Sequence, residues 1–266
     1  MTESFTRTTI QDIARKLNIT ASTVSRALND HPAISVATKK AVTKTAVKLD
    51  YHHNRIASSL RLGKTKILGV IIPSAEINFF GSVVHGIEKV ASAKGYNVLM
   101  YQSNELLDFE IKGVETFLRS RVDGVLASIS KETTNLDHYQ KIKSKGVPLI
   151  LFDRASDDLG VPSVTINDYQ GAFEATCHLI EQGCNNIAHI AGQQHVAIFK
   201  QRLKGYINAL KVNNIEVSEE LIVYGKVTID SGRECMNHLL QSNRKADGIF
   251  AVEDFTALGV MQSIKS

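Results

Sequence analysis

From Ile67 onward, short runs rich in β-branched residues alternate with segments of helical periodicity, which is typical of parallel sheets built from βα units. Glycine follows two of the predicted helices, Phe80 to Lys94 before Gly95 and Asp168 to Gln182 before Gly183. Glycine suits the left-handed backbone of a helix exit. We therefore predict an α/β fold for this part of the chain. The predicted strands are Ile67–Ile72, Asn97–Gln102, Gly124–Ser128, Pro148–Phe152, Ser163–Ile166, Ile187–Ala191, Leu221–Tyr224 and Gly248–Val252.

A polar break at Asp157 to Pro162 predicts the crossover between two lobes. Ligands of open parallel sheets bind beyond the carboxyl ends of the strands. Aromatic faces beside charged hydrogen-bonding groups suit a polyol or a purine in a dry cleft, although each such residue equally fits a structural role. The candidates at strand ends are Phe79, Phe80, Asp153, Arg154, Glu253 and Asp254.

The charge of the chain is unevenly distributed although the formal net charge is only +4. Up to Lys66 there are 12 basic and 4 acidic residues, whereas the remainder has 19 basic and 23 acidic residues. A basic head on a mildly acidic body predicts a polyanion-binding module joined to a second functional unit.

The basic head begins with the signals of two short helices. Thr9 and Asp12 have the spacing of a capping box, and an apolar stripe at helical spacing follows as far as Leu17. Asn18 tolerates the left-handed backbone of a tight exit, and Thr20 is positioned to cap a second helix.

The second helix has two distinct sides. Val24, Ala27 and Leu28 form the inward side, whereas the outward stripe consists of hydrogen-bonding residues, namely Ser22, Ser25, Arg26 and Asn29. This is the geometry that places a recognition helix in the major groove, where an arginine reads guanine. The alternative interpretation is a three-helix bundle with a solvated basic face.

A third helix is predicted from a Ser35 cap to Leu49, with Val42, Ala46 and Leu49 buried. Its outer face carries Lys39, Lys40, Lys44 and Lys48. Such lysines suit phosphate contacts, which position a protein on DNA without reading its sequence.

The segments Thr9-Ile10-Gln11-Asp12-Ile13-Ala14 and Thr20-Ala21-Ser22-Thr23-Val24-Ser25-Arg26-Ala27-Leu28-Asn29 resemble the headpiece of the lac repressor and purine repressor (LacI/GalR) family of bacterial transcription regulators. The similarity continues through 49–60, which resembles the family's hinge, although His53 stands where most members have proline. The resemblance implies that Leu60 wedges into the minor groove; a linker leucine packed on the body is the alternative. The DNA contacts predicted by pattern and resemblance are Thr9, Thr20, Ala21, Ser22, Thr23, Ser25, Arg26, Asn29, Asn54 and Leu60.

The body is similar to the periplasmic sugar-binding proteins, as the resemblance implies. We expect a helix-turn-helix headpiece over 1–53, a hinge and linker over 54–66, and effector-binding lobes over 67–160 and 161–266. The resemblance places effector contacts at Phe79, Phe80, Asp153 and Arg202; Arg154 and Asp254 complete the predicted set. Phe79 and Phe80 equally fit lobe packing, and Arg154 and Asp254 equally fit an ion pair and a helix cap.

The family continues beyond the helix Asp254 to Ser266 with further elements of both lobes. From the resemblance we expect a truncated chain, in which the second lobe and the return crossover are incomplete.

Several classes of protein lack support in the sequence. No apolar run has a membrane-spanning length, and the start has no signal-peptide pattern, so we expect a soluble cytoplasmic protein. The three cysteines and nine histidines show no metal-ligand spacing, and no nucleotide-binding or catalytic motif is complete. We predict neither enzymatic activity nor a cofactor or metal.

The predicted function is a ligand-responsive regulator, a repressor of carbohydrate-utilisation genes, that binds double-stranded operator DNA as a homodimer. Its effector is expected to be a small molecule, a sugar in preference to a purine. The alternative is a sugar-binding protein or a sugar-handling enzyme whose basic head has another role.

Overall fold

The computed structural model describes residues 8–51 and 63–265. The chain forms two compact units, 1–65 and 66–266, which are considered separately.

The first unit contains the helices α1 (Ile10–Leu17), α2 (Ala21–Leu28) and α3 (Val36–Lys48). Their apolar sides meet in a small core in which Ile13, Val24 and Val42 are fully buried. The three helices predicted for the basic head are therefore confirmed.

The second unit begins with a five-stranded parallel sheet. Its strand order is β2-β1-β3-β4-β5. The helix α4 packs on one face through Phe80, whereas α5 and α6 pack on the other through Phe117 and Tyr139. The elements are β1 (Ile67–Ile72), α4 (Asn78–Ala93), β2 (Asn97–Gln102), α5 (Leu107–Arg119), β3 (Gly124–Ala127), α6 (Asp137–Ser144), β4 (Leu149–Phe152) and β5 (Ser163–Val164).

A three-stranded parallel sheet of order β7-β6-β8 follows. On one face Tyr206 of α8 packs beside Ile187, and on the other Met236 of α9 packs beside Ile190. The elements are α7 (Asp168–Glu181), β6 (Ile187–Ala191), α8 (Ala197–Val212), β7 (Ile222–Tyr224), α9 (Ile229–Gln241), β8 (Gly248–Ala251) and α10 (Asp254–Lys265). We refer to 66–164 and 165–265 as the first and second lobes.

The predicted strands are confirmed with ends that differ by at most two residues, but the predicted crossover is wrong. The strand β5 lies after the break at Asp157 to Pro162, yet it pairs with β4 in the first sheet, where Phe152 is opposite Val164. The chain therefore passes to the second lobe after Val164. The break contains a short 3-10 turn at Asp157–Leu159, which ends at a left-handed Gly160 and returns the chain to its own sheet.

The helices α9 and α10 pack with their backbones in close contact. A Cβ atom on Gly232 would overlap the carbonyl of Thr256, and a Cβ atom on Gly259 would overlap the carbonyl of Ile229. Glycine at both positions is therefore required by the packing of this helix pair.

Among residues 8–51 and 63–265, no helix has both the length and the apolar character needed to cross a bilayer.

Candidate nucleic-acid interface and ligand cleft

The start of α1 is fixed by a carboxylate from its own first turn. The backbone N–H of Thr9 donates to Asp12 Oδ2 at 2.8 Å, and the Thr9 hydroxyl donates to the same oxygen at 2.7 Å. The hydroxyl and backbone hydrogen bonds from Thr9 lower the pKa of Asp12. The helix ends at Asn18, whose φ of 53° is the predicted left-handed exit. These local interactions set the short turn that leads into α2.

A cluster of three hydroxyl groups lies at the amino end of α2. Thr20 Oγ1 accepts from the backbone N–H of Thr23 at 3.1 Å and so caps the helix as predicted. It also lies 2.8 Å from Ser22 Oγ and 2.9 Å from Thr23 Oγ1. The helix therefore begins with short polar side chains that are held together.

The outward face of α2 is polar and accessible. Arg26 and Asn29 are exposed, and the Asn29 side chain donates to the carbonyl of Ser25 at 2.7 Å. Val24 and Ala27 are buried on the opposite side. Of the predicted contacts on and beside this helix, Thr20 and Ser22 are also exposed, and Ala21, Thr23 and Ser25 are half-buried.

Of the four lysines predicted on the outer face of α3, Lys39 differs from the others. Its Nζ donates to Asp30 Oδ1 at 2.6 Å, and its side chain is only 22% exposed. This hydrogen bond lowers the pKa of Asp30. Lys39 therefore fixes the turn after α2, whereas Lys40, Lys44 and Lys48 are exposed.

Two predicted DNA contacts, Asn54 and Leu60, lie outside the described residues.

Of the predicted effector residues, Asp153 and Arg154 follow the carboxyl end of β4, where the two lobes face each other. Two cavities of about 590 Å³ and 450 Å³ are lined by residues of both lobes. The larger cavity contains Asp153, Ile166, Asp168 and Gln201 in its walls. The space between the lobes is thus a polar cleft large enough for a small molecule.

Of the two phenylalanines, Phe80 is 1% exposed and belongs to the core under α4, whereas Phe79 is 50% exposed. The two rings pack edge to face with their centroids 5.2 Å apart. Phe80 therefore serves the packing role that the sequence left open.

Arg154 is buried and forms an ion pair with Glu105, the other role left open by the sequence. Its Nη1 atom donates to both carboxylate oxygens of Glu105, at 2.9 and 2.7 Å. The guanidinium also lies over the ring of Phe80, 5.7 Å from its centroid. Glu105 was not a predicted site residue, although it lies just beyond the carboxyl end of β2, where ligand contacts are expected.

Arg202 lies on α8 and is bound within the second lobe. Its Nε donates to Asp168 Oδ1 at 2.8 Å, and its Nη1 donates to the carbonyl of Val252 at 2.6 Å. Arg202 thus connects the start of α7 to the end of β8.

Two carboxylates of the cleft, Asp153 after β4 and Glu253 after β8, receive no hydrogen bond from the described residues. Burial raises the pKa of both groups, and the charges of Arg154 and Arg202 oppose the shift in each case. The neighbouring Asp254 is exposed and accepts from the backbone N–H of Phe255 at 2.9 Å, at the first turn of α10. Asp153 Oδ2 lies 3.9 Å from Arg154 Nε in an ion pair, and both Asp153 and Glu253 retain capacity to accept hydrogen bonds from a ligand.

Asp153 also has an unusual backbone conformation, with a φ of 57°. Asn104 and Glu105, which follow β2, have the same left-handed conformation, with φ values of 53° and 64°. Non-glycine residues in the left-handed region are uncommon and concentrate at functional sites. Three of the five described non-glycine residues of the first lobe with positive φ thus follow strands that end at the cleft, whereas Lys66 and Arg121 precede strands.

Lys131 links the two lobes and was not predicted from the sequence. Its Nζ donates to the carbonyl of Val227 at 3.5 Å, and its own carbonyl accepts from His195 Nε2 at 2.5 Å. Nothing in the local sequence marks Lys131, because its role depends on the packing of two separate lobes.

The two units define a class of protein that combines a helix-turn-helix with a two-lobed α/β body. Residues 9–54 match the family model described as bacterial regulatory proteins, lacI family. Residues 65–266 match the model described as periplasmic binding proteins and sugar binding domain of LacI family. The chain belongs to the lacI family of bacterial regulatory proteins.

Individual relatives agree with this assignment. The chain is 35% identical over 254 residues to catabolite control protein A of Priestia megaterium, covering 95% of this chain and 76% of that protein. It is 30% identical over 256 residues to the ribose operon repressor of Halalkalibacterium halodurans, covering 96% and 75%. A solved complex of the transcriptional regulator CelR with cellobiose superposes with a TM-score of 0.67 at 28% identity, covering 97% of this chain and 78% of that chain.

Proposed function

We propose that this protein represses transcription by binding double-stranded operator DNA as a homodimer in the bacterial cytoplasm, and that a sugar bound between its lobes controls this activity. The outward face of α2 is the observation that carries the DNA-binding part of the proposal.

The amino end of α2 is suited to a DNA groove. Thr20, Ser22 and Thr23 have hydroxyl groups for phosphate and base edges, and the small Ala21 allows the backbone to approach closely. Arg26 lies on the same helix, and its guanidinium has the fork geometry that recognises guanine O6 and N7. We assign base readout to Ser22 and Arg26 and phosphate contacts to the exposed lysines of α3.

The homodimer follows from the size of the reading element. One short helix contacts a half-site, and a two-fold symmetric pair reads a pseudo-palindromic operator with the affinity that regulation requires. The contacts assigned to Asn54 and Leu60 belong to this proposal.

The carboxylates of Asp153 and Glu253, which accept no hydrogen bond from the described residues, support a sugar as the effector. Each accepts hydrogen bonds from hydroxyl groups, and vicinal hydroxyls satisfy a carboxylate well in a partly buried site. Arg154 and Arg202 already have carboxylate partners, so the unsatisfied acceptors set the chemistry of the ligand. The relatives named for a ribose operon and for a complex with cellobiose support the same class.

The effector acts through its different affinities for two arrangements of the lobes. In one arrangement the paired headpieces are held at the half-site spacing, and in the other they are not.

The test is selection of bound fragments from random double-stranded DNA, repeated with ribose, cellobiose, adenine or guanine added. We expect an enriched palindromic sequence whose recovery changes with one of the sugars. A matched protein with Ser22→Ala and Arg26→Ala should enrich no sequence.

Recovery of random DNA without enrichment contradicts sequence-specific regulation and favours a binding protein whose basic head has another role. Enrichment that responds to a purine and to neither sugar contradicts the assigned effector class while leaving DNA recognition intact.

A further inference from the structure

A buried carboxylate, that of Glu110, lies on α5. The Glu110 side chain is fully buried, and its hydrogen bonds go to the connection between β3 and α6 and to the first turn of α6. Oε1 accepts from the backbone N–H of Ser130, and Oε2 accepts from the Thr133 hydroxyl at 2.7 Å and lies 3.0 Å from His138 Nε2. Burial alone would raise the pKa of Glu110, but these hydrogen bonds together lower it. Glu110 is therefore an ionised acceptor of three donors.

The connection that Glu110 holds, residues 128–136, is also the segment that reaches the second lobe. Its Lys131 donates to the carbonyl of Val227 and accepts from His195. Glu105 holds Lys131 from the other side, because its Oε2 accepts from the Lys131 backbone N–H at 2.9 Å and its Oε1 lies 3.5 Å from Lys131 Nζ. Lys131 is thus oriented within the first lobe before it meets the second.

We propose that Glu110 is a positioning residue for an inter-lobe clamp formed by Lys131, Val227 and His195, and that this clamp stabilises the spacing of the lobes described above. The relation to regulation rests on the proposed function, in which the effector acts through lobe spacing. An effector that favours a different spacing must work against the clamp, so the clamp biases the switch toward the arrangement described above.

A carboxylate is suited to this role because it has only acceptors. The Ser130 N–H and the Thr133 hydroxyl are buried with the loop, so loss of their acceptor leaves unsatisfied donors that favour a rearranged loop. A glutamine at 110 retains the shape but presents an amide N–H₂ to one of the groups that now donate. Glu110→Gln therefore perturbs the loop without opening a cavity.

The experiment measures the distance between the lobes in the full-length chain without effector. Nitroxide labels are placed at the exposed positions Lys145→Cys and Lys211→Cys in a background of Cys177→Ser and Cys184→Ser. The distance distribution is recorded by pulsed electron spin resonance for the parent and for Glu110→Gln, Lys131→Met, His195→Ala and the double variant of Glu110→Gln with Lys131→Met. Glu115→Gln is the matched control, because it removes an exposed carboxylate from the same helix.

We expect Glu110→Gln and Lys131→Met each to broaden the distribution, and the double variant to broaden it no more than Lys131→Met alone. Hydrogen exchange in peptides covering 128–134 should be about tenfold faster in Glu110→Gln, as expected for the loss of a buried charge-assisted hydrogen bond. The Glu115→Gln protein should match the parent in both measurements.

The proposal is overturned if Glu110→Gln broadens the distance distribution by the same amount in the parent and in the Lys131→Met protein. Glu110 would then act on general stability and not through Lys131. Distributions for Lys131→Met and His195→Ala that match the parent overturn it as well, even where Glu110→Gln does not fold. Neither result bears on DNA selection, so this proposal and the proposed function fail separately.

Discussion

Arg202 Nε and Nη2 each lie 2.8 Å from the same carboxylate oxygen of Asp168. The Asp168 side chain is only 6% exposed, and the third guanidinium nitrogen donates to the carbonyl of Val252. One cation therefore satisfies a buried carboxylate and a backbone carbonyl at the end of β8. This arrangement assigns Arg202 a stabilising role in addition to the effector contact proposed for it.

Replacement of this arginine should destabilise the second unit. We expect Arg202→Met to reduce the free energy of unfolding by roughly 3 kcal/mol, because it leaves Asp168 buried without its partner. The measurement is urea denaturation followed by circular dichroism. Arg119→Met is the control, since its pair with Glu115 is exposed and should contribute less than about 0.5 kcal/mol. Equal losses in the two variants would contradict the assigned role.

Base contacts and phosphate contacts should have different effects in binding measurements. Arg26→Ala should reduce discrimination between the selected operator and random DNA by about 1 to 3 kcal/mol, because a base-reading fork is lost. Binding is measured by fluorescence anisotropy on both DNAs. If Arg26→Ala weakens both equally, Arg26 does not read bases.

Lys44→Ala should weaken binding to operator and random DNA alike and reduce the salt slope by about 1. Lys39 is unsuitable for this comparison, because its pairing with Asp30 makes Lys39→Ala a change in the structure of the turn. A change of sequence preference in Lys44→Ala would contradict its assignment as a phosphate contact.

The sequence predicted those parts of the fold that depend on local signals. Thr9, Asn18 and Thr20 determine helix ends through interactions within a few residues, and all three behave as predicted. The position of the crossover was missed, because a strand as short as Ser163–Val164 joins the first sheet through pairing with a distant partner. No local pattern around it specifies that pairing.

In the cleft, too, the residues that depend on local signals were predicted and those that depend on tertiary packing were not. Asp153 and Glu253 were predicted because ligands of parallel sheets bind beyond the carboxyl ends of the strands, and this expectation depends only on where the strands end. The position of strand ends does not predict that Arg154 pairs with Glu105, which is 49 residues away in sequence. It also does not predict that Lys131 connects the two lobes. Such roles arise from tertiary packing and were visible only once the sheets were assembled.

A buried histidine should make stability depend on pH. His189 is stacked between Phe250 and Tyr206, with ring centroids 4.7 and 5.0 Å away, and its Nδ1 lies 2.8 Å from the carbonyl of Phe250. Burial lowers the pKa of His189 from its usual 6.5 to about 4. Between these values the unfolded chain binds a proton that the folded chain does not, so the free energy of unfolding falls as the pH falls.

We expect this loss to reach about 3 kcal/mol by pH 4. His189→Phe retains the stacking and removes the titration, so its denaturation midpoint should fall less between pH 6.5 and pH 4. Parallel pH profiles for the two proteins would contradict the assignment.

The glycines between α9 and α10 should be intolerant of a methyl group. Gly259→Ala forces apart two backbones in contact and should destabilise by about 1 to 3 kcal/mol. Gly171→Ala is the matched control on α7, where a Cβ atom meets open space; it should stabilise by about 0.5 to 1 kcal/mol through helix propensity. Thermal melts of both proteins test the contrast, and a loss of stability in both would point to another cause.

The two cleft carboxylates, Asp153 and Glu253, predict how effector binding responds to pH. Each accepts hydrogen bonds from hydroxyl groups more strongly when it is ionised, and burial raises the pKa of Asp153 and of Glu253. Affinity for the identified sugar should therefore fall as the pH falls toward and through those raised values. Glu253→Gln should bind more weakly, by about tenfold, with a flatter profile in calorimetric titrations at several pH values. An unchanged profile would place the sugar away from Glu253.

The left-handed backbone at Asp153 limits which ligands descendants of this protein can acquire. Only glycine, asparagine and aspartate adopt that conformation readily, so substitution there exchanges an acid for an amide or for no side chain at all. A bulky or β-branched residue would be strained in that conformation by about 1 to 3 kcal/mol. Evolution or engineering of a new specificity must therefore draw its variation from other walls of the cleft, such as Ile166 and Gln201.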